Sequence, residues 1–191
     1  MRKQRHIVAA LLVLLTGALT LFGGMYFHWY RAPYSGFGKA VAWKIDMPEA
    51  AYNFAMVTPA KLYRSGEPDA EFLDYVRRRY GIKYVVSLNG VSQVQRIARN
   101  LGMEVKVFDW RTELPTEELR AVLDFLNEKT GVLVHCRAGR DSTGTVIAAY
   151  RMQQQHWSVS RALQEMEAYG HSRSHRSETD QFLRHWIDSS R

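Results

Sequence analysis

Apolar positions follow three different rhythms along this chain. From Ile7 to Phe27 they are nearly continuous: 21 residues carry no charge, and sixteen of them are Ala, Val, Ile, Leu, Met, Phe or Tyr. At about 1.5 Å rise per residue a helix of that length reaches roughly 30 Å, the thickness of a bilayer core. Gly17, Gly23 and Gly24 weaken a soluble helix but are ordinary in a membrane one, and Tyr26, Trp29 and Tyr30 follow where aromatic residues settle at the interface. A transmembrane signal anchor over 7–27 is therefore expected. The competing readings are a soluble core helix and a cleaved signal peptide; against the latter, no small-x-small site follows the apolar run and Met25–Tyr30 is bulky.

Beyond this run, segments with the spacing of helices alternate with short β-branched ones. Residues 28–56, with Pro33, Gly36, Gly38 and Pro48, read as a linker, and Ala60–Arg64 as a short edge strand. Glu67-Pro68-Asp69 opens a helix with Phe72, Leu73, Val76 and Tyr80 on one face, and Gly81 ends it. Ile82–Leu88 is a run of the kind buried in a sheet, followed after Asn89-Gly90 by a helix from about Ser92 to Leu101. Met103–Phe108 alternates apolar and charged residues and predicts another strand. Thr116 caps the next helix, whose stripe is Leu119, Val122, Leu123 and Leu126 and which Gly131 stops. Val132–His135 predicts a buried strand. Two later helices carry Val159, Leu163 and Met166, then Phe182, Leu183, Trp186 and Ile187. Strands alternating with helices predict an α/β layer structure: a central, mostly parallel sheet of about four to five strands flanked by helices.

Composition narrows the function classes. A length of 191 residues supports one compact domain, and 46% apolar residues exclude a disordered or collagenous chain. One cysteine excludes an intramolecular disulfide and any zinc site built on several thiolates. The net charge of +7 points to an anionic partner, but Arg2, Lys3 and Arg5 supply three of those charges within a basic flank at 1–6. That flank predicts a cytoplasmic N-terminus, with the rest of the chain outside, in the periplasm of a bacterium. Arg31, Lys39 and Lys44 after the span argue the other way. The remaining basic residues form no helix-face stripe or aromatic-interleaved patch, so nucleic-acid binding finds no support. His171, Arg173, His175 and Arg176 read as a solvated basic loop; H-x3-H lacks a third ligand, and neither metal nor cofactor is expected.

The chemistry gathers after Val132–His135, where the chain reads Cys136-Arg137-Ala138-Gly139-Arg140-Asp141-Ser142-Thr143-Gly144 before the run TVIAAYRMQQQ. A cysteine between a buried strand and a helix N-terminus faces unpaired backbone N–H groups and the positive end of the helix dipole, and both favour the thiolate. The same N–H groups form a concave anion site able to hold phosphate. One loop thus offers a nucleophile and a phosphate cradle in contact, which suits a phosphocysteine intermediate. The alternative is a buried structural cysteine.

HCRAGRDSTG at 135–144 resembles the signature of the cysteine-based protein phosphatases, particularly the dual-specificity group: His-Cys, five residues, Arg, then Ser or Thr and Gly. LYRSGEP at 62–68, GIKYVVSLNG and ALQEMEAYG are similar to other segments of that family, so the resemblance covers roughly 57–188. It implies a dual-specificity-phosphatase-like domain over 57–191, acting without metal on a phosphorylated protein, a small phosphomonoester or a phospholipid. Arg137, Ala138, Gly139, Arg140, Asp141 and Ser142 would then line the substrate phosphate. His135 would orient the loop, and Thr143 would donate a hydrogen bond to the departing Cys136 thiolate. In the family a general acid comes from an upstream loop, which here holds Asp109, the favoured candidate, and Glu113. Arg64 either lines the cleft or is an exposed strand residue.

One position departs from the pattern: the family's arginine, six residues after the cysteine, is Ser142. That arginine holds two phosphoryl oxygens with a planar fork, whereas serine offers one neutral hydrogen bond. Charge-assisted bonds are worth about 1.5–3 kcal/mol each, so losing two costs several orders of magnitude in rate. The chain is then a weak or inactive phosphatase, an altered form of an active one, or one in which Arg140 or Arg137 swings in. Two other classes stand beside the enzyme: a phosphate-binding protein without turnover, and a rhodanese-like sulfur transferase, which the His-Cys-x-Ala-Gly-x-Asp run opposes.

Overall fold

Five strands of four residues each build the sheet that carries the candidate loop: β1 (Ala55–Thr58), β2 (Leu62–Ser65), β3 (Tyr84–Ser87), β4 (Glu104–Val107) and β5 (Val132–His135). They lie in the order β1-β2-β5-β3-β4, with β1 antiparallel to β2 and every other pair parallel. The computed structural model describes residues 10–21, 36–90, 93–110, 116–172, 174 and 176–189. Its helices are α1 (10–21), α2 (Gly36–Lys44), α3 (Ala70–Tyr80), α4 (Gln93–Asn100), α5 (Thr116–Glu128), α6 (Asp141–Gln155), α7 (Val159–Ala168) and α8 (Arg176–Ser189). This is the expected α/β architecture, a mostly parallel sheet flanked by helices.

The pleat divides the core in two. Leu62, Val86, Val132 and Val134 point to one side and join Leu119, Val122, Leu123 and Leu126 of α5 with the apolar residues of α6, α7 and α8. Tyr63, Val85 and Leu133 point to the other, against Phe72, Leu73 and Val76 of α3 and Val94 and Ala98 of α4. Each fully buried Leu or Val contributes about 1.5–3 kcal/mol relative to exposure, which is why the unbroken runs of β3 and β5 sit inside and the alternating β4 lies at the edge. Helix ends follow local chemistry. Asp69 caps α3 by accepting from the Phe72 N–H at 3.0 Å, and Gly81, at φ +66, closes it by donating its N–H to the Arg77 carbonyl at 3.1 Å.

Two expectations change. The segment over Ala60–Arg64 is not an edge strand: β2 lies between β1 and β5, with all four residues buried. The covering strand comes from the segment read as linker, whose described part, 36–56, is α2, a 3-10 helix (Pro48–Tyr52) and the start of β1. Long-range contacts hold it in place. The Tyr52 ring stacks on Phe72 at 3.8 Å and its hydroxyl donates to Asp69, while Glu49 accepts from the hydroxyls of Tyr75 and Tyr80 at 2.7 and 2.6 Å. The expected membrane span over 7–27 is described only at 10–21, which is helical; among the described residues no helix is long and apolar enough to cross a membrane.

Candidate active site

The sheet's carboxyl edge is where parallel strands hand their chains to loops, and ligands bind there in open α/β sheets. Three strands end side by side at this edge: His135 of β5 lies between Ser65 of β2 and Ser87 of β3. Cys136 follows at once, 7% exposed and uncrosslinked, and the chain turns through 137–140 into α6. Gly139 makes the turn possible. Its φ is +68, and a Cβ there would stand 2.5 Å from the Gly66 nitrogen and 2.6 Å from the Ser65 carbonyl, so only glycine fits.

The loop's carbonyls are tied away from its concave side. The Arg137 carbonyl accepts from the Glu67 N–H at 3.2 Å. The Asn53 amide donates to the carbonyls of Ala138 (3.3 Å), Gly139 (3.2 Å) and Tyr169 (3.1 Å). Arg64 Nη2 donates to the Gly139 carbonyl at 2.7 Å. Among the described residues no backbone carbonyl accepts from the N–H groups of Arg137, Ala138 or Gly139. Three donors in a row without a backbone acceptor, at the N-terminus of a 15-residue helix, are an arrangement able to receive an anion.

The buried charges beneath the loop are unusual. Arg64 is fully buried, with Nε and Nη1 lacking hydrogen-bond partners among the described residues, and its guanidinium lies 3.9 Å from the Tyr169 ring centroid. Burial pushes its pKa down to about 10, against the pull of Tyr169, Glu165 and Cys136, so it stays charged at pH 7. His135 is equally buried. Desolvation lowers its pKa to about 4 against a smaller opposing pull from the Cys136 backbone, so the ring is neutral at pH 7. Neither of its ring nitrogens has a hydrogen-bond partner of good geometry among the described residues. What holds this residue to the frame is its backbone, whose carbonyl accepts from the Leu88 N–H at 2.9 Å.

A model of the tyrosine phosphatase family matches residues 50–190. The chain belongs to the tyrosine phosphatase family. The CDC14 homologue of Schizosaccharomyces pombe, a tyrosine-protein phosphatase, is 30% identical over 130 residues, which cover 65% of this chain and 22% of that protein. The chain thus spans about a fifth of that relative's length. Among solved structures, TpbA of P. aeruginosa aligns with a TM-score of 0.59 at 26% identity, over 70% of this chain and 84% of that one. The core catalytic domain of the PP-IP phosphatase SIW14 from S. cerevisiae aligns with a TM-score of 0.62 at 22% identity, over 71% and 85%. PTPMT1 aligns at 0.57 with 16% identity, over 72% and 98%. The last two likenesses show the phosphatase fold alone.

The phosphatase loop brings most of the expected residues together and separates others. Thr143 is fully buried in the first turn of α6, with no partner for Oγ1 among the described residues; Ser142 beside it is half-buried. Arg137 is exposed, and the Arg140 side chain lies against Gly170, where an added Cβ would stand 3.1 Å from its Nε. Asp109 stands at the same edge, bridged to Asn89, with its carboxyl 3.1 Å from where a Gly90 Cβ would be. Asn89 Nδ2 donates to Glu67 at 3.3 Å, and Glu67 donates to the loop, so the chain around Asp109 is linked to the cradle. Glu113 lies outside the described residues.

The basic stretch after α7 is not simply solvated. His171 is buried, with Nδ1 2.6 Å from Asp141 Oδ1 and Nε2 3.2 Å from Thr179 Oγ1, so it ties the loop to α8. Arg176 pairs with Glu167, and Arg173 and His175 lie outside the described residues. Sequence reasoning missed Asn53 altogether, because it sits in the supposed linker. Its one local signal is chemical: φ is +51 there, and Asn tolerates that left-handed conformation better than most residues. Arg64 was expected either to line the cleft or to be an exposed strand residue, and its full burial excludes the second.

Proposed function

We propose that the chain is a membrane-anchored phosphatase of the dual-specificity or tyrosine type that hydrolyses phosphomonoesters through a phosphocysteine on Cys136. The observation that carries this reading is the placement of the single cysteine at the head of a loop whose carbonyls are tied outward. In the first step the Cys136 thiolate forms a bond to phosphorus while the bond to the leaving oxygen breaks, and Asp109 protonates that oxygen. In the second, water attacks phosphorus, gives its proton to the Asp109 carboxylate, and inorganic phosphate leaves as the thiolate is restored. Thr143 Oγ1 is the donor for the departing sulfur, and the N–H groups of the loop hold the phosphoryl oxygens in both steps. His135, neutral at pH 7, adds no competing charge beneath the nucleophile.

TpbA has been solved in complex with phosphotyrosine and is 25% identical to this chain, which supports a phosphotyrosine-like substrate. PTPMT1, solved in complex with PI(5)P, is 15% identical, so a phospholipid stands as the second substrate class on the strength of the anchor. The anchor itself rests on the apolar run 7–27 and on α1, where Leu11, Leu12, Val13, Leu14, Leu15, Leu19 and Leu21 are 56–71% exposed and call for a lipid cover. The basic flank orients the N-terminus to the cytoplasm and the catalytic domain to the outside. The full chain should stay in the membrane pellet through alkaline carbonate; its release would sink the anchor.

The test of the enzyme is hydrolysis of 4-nitrophenyl phosphate by the full chain beside Cys136→Ser. Release above the Cys136→Ser background supports turnover, and rates equal to it, in both the unsubstituted chain and Ser142→Arg, refute it. Ser142 favours a second reading, a protein that binds phosphorylated partners without turning them over. That reading predicts phosphate affinity in a chain with no Cys136-dependent release.

A further inference from the structure

We propose that Asn53 and Arg64 are positioning residues that hold the loop's carbonyls outward, and so make it an anion receptor that works without an arginine at position 142. The proposal rests on the reading of residues 136–142 as the phosphate site. A peptide unit is planar and trans, so the carbonyl of one residue and the N–H of the next point in opposite directions. Fixing the oxygens of Arg137 and Ala138 on the outer side therefore aims the N–H groups of Ala138 and Gly139, two of the three that lack a backbone acceptor among the described residues, at the concave side, and fixing the Gly139 oxygen turns the next peptide unit the same way. All three oxygens are fixed from one stretch of chain: Glu67 N–H for Arg137, Asn53 Nδ2 for Ala138 and Gly139, and Arg64 Nη2 again for Gly139.

Without these holds a peptide unit is free to rotate and present an oxygen, with its partial negative charge, to the phosphate. The two side chains suit the work in different ways. Asn53 sits at φ +51 directly after the 3-10 helix, so its amide is carried on a rigid turn and reaches the loop and the Tyr169 carbonyl together. Arg64 is held in the middle of a buried strand with its plane against Tyr169, and its charge is not consumed by a carboxylate: Glu165, the acid that acts on it, is held by Arg151 at 2.6 and 2.9 Å. The cation thus lies beneath the loop, where it favours an anion bound above. Ser142 contributes no charge, so this framework carries the orientation that the rest of the site depends on.

Because Cys136 is the one cysteine, its alkylation by iodoacetamide reports a single site in the full-length protein. Inorganic phosphate in the loop should shield the sulfur, and the concentration giving half-protection measures the receptor. Asn53→Gly keeps the left-handed turn and removes the amide; it is expected to raise that concentration about tenfold, the worth of a lost hydrogen-bond anchor. Asn53→Asp, which sets a carboxylate against three carbonyls, should raise it further. Arg64→Lys keeps a cation but loses the fork and should also raise it. Circular dichroism and the urea unfolding midpoint should show all three variants folded, so that a raised half-protection concentration reports the loop and not a lost fold. Half-protection at the unsubstituted chain's concentration in both folded Asn53 variants would overturn the proposal. An unsubstituted chain that phosphate does not protect at all would instead overturn the phosphate-site reading, a distinguishable result.

Discussion

The substitution Ser142→Arg tests the energetic reasoning most directly. Ser142 is the second residue of α6, half-buried, beside three backbone N–H groups that lack a backbone acceptor among the described residues. A serine there offers a phosphoryl oxygen one neutral hydrogen bond, worth about 1 kcal/mol net. A guanidinium offers two charge-assisted bonds of about 1.5–3 kcal/mol each, so the gross gain is about 2–5 kcal/mol. Ordering the side chain takes back about 1 kcal/mol, roughly half of the rotamer entropy it carries, because the planar fork is pre-organised. The net gain is then about 1–4 kcal/mol, and at about 1.4 kcal/mol per decade kcat/KM for 4-nitrophenyl phosphate should rise between about fivefold and several hundredfold. Ser142→Lys separates charge from geometry: a point charge cannot hold two oxygens in one plane, so it should recover less than Ser142→Arg. The comparison needs circular dichroism to show that all three proteins are folded. A folded Ser142→Arg protein with unchanged kcat/KM, or a lysine variant equal to the arginine one, would refute the reasoning.

Three further outcomes follow from the geometry. His135 has a folded pKa near 4 against about 6.5 when unfolded, so between those values the unfolded chain takes up a proton that the folded one does not; stability is fully present above pH 6.5 and falls by about 3 kcal/mol as the pH drops to 4. Urea titrations should show this slope reduced in His135→Asn, and an equal slope in both proteins would contradict it. Gly139→Ala puts a Cβ 2.5 Å from the Gly66 nitrogen at φ +68, which costs about 1–3 kcal/mol from backbone strain alone; urea unfolding should show at least that loss, and phosphate protection of Cys136 should disappear. Glu165→Ala leaves Arg151 without its two-pronged partner between α6 and α7, where both side chains are under 15% exposed, and should lower the unfolding free energy by about 3 kcal/mol. A loss below about 1 kcal/mol would mean that water reaches the pair.

The alternation of strands and helices, the helix stripes and the Cys136 loop were all legible in the chain. Each depends on neighbours a few residues apart: the pleat repeats every two residues, the helix face every three or four, and the loop is one continuous decapeptide. The unbroken run Val132–His135 even announced its central place, because a strand buried on both faces needs no polar alternation. The same local logic failed between residues 36 and 58. Gly36, Gly38, Pro33 and Pro48 resemble a linker by composition, yet Tyr52 and Glu49 bind that stretch to α3 through partners 17 to 31 residues away.

Longer separations decided the rest of the site. Asn53 meets Ala138 across 85 residues of chain, Arg64 meets Gly139 across 75, and His171 meets Asp141 across 30. No periodicity records such pairs, since their cause is the parallel crossing that sets β2 beside β5 and lays the first strand pair under the last loop. Sequence by itself therefore determined where the proposed nucleophile and the loop that follows it lie, and that the residue at position 142 is neutral. Only the tertiary structure decided which way the cradle's peptide groups face, that His135 is too deeply buried to carry charge, and that Arg64 sits beneath the loop as a cation. Orientation and desolvation are properties of what surrounds a group, and the surroundings exist only once distant segments have packed.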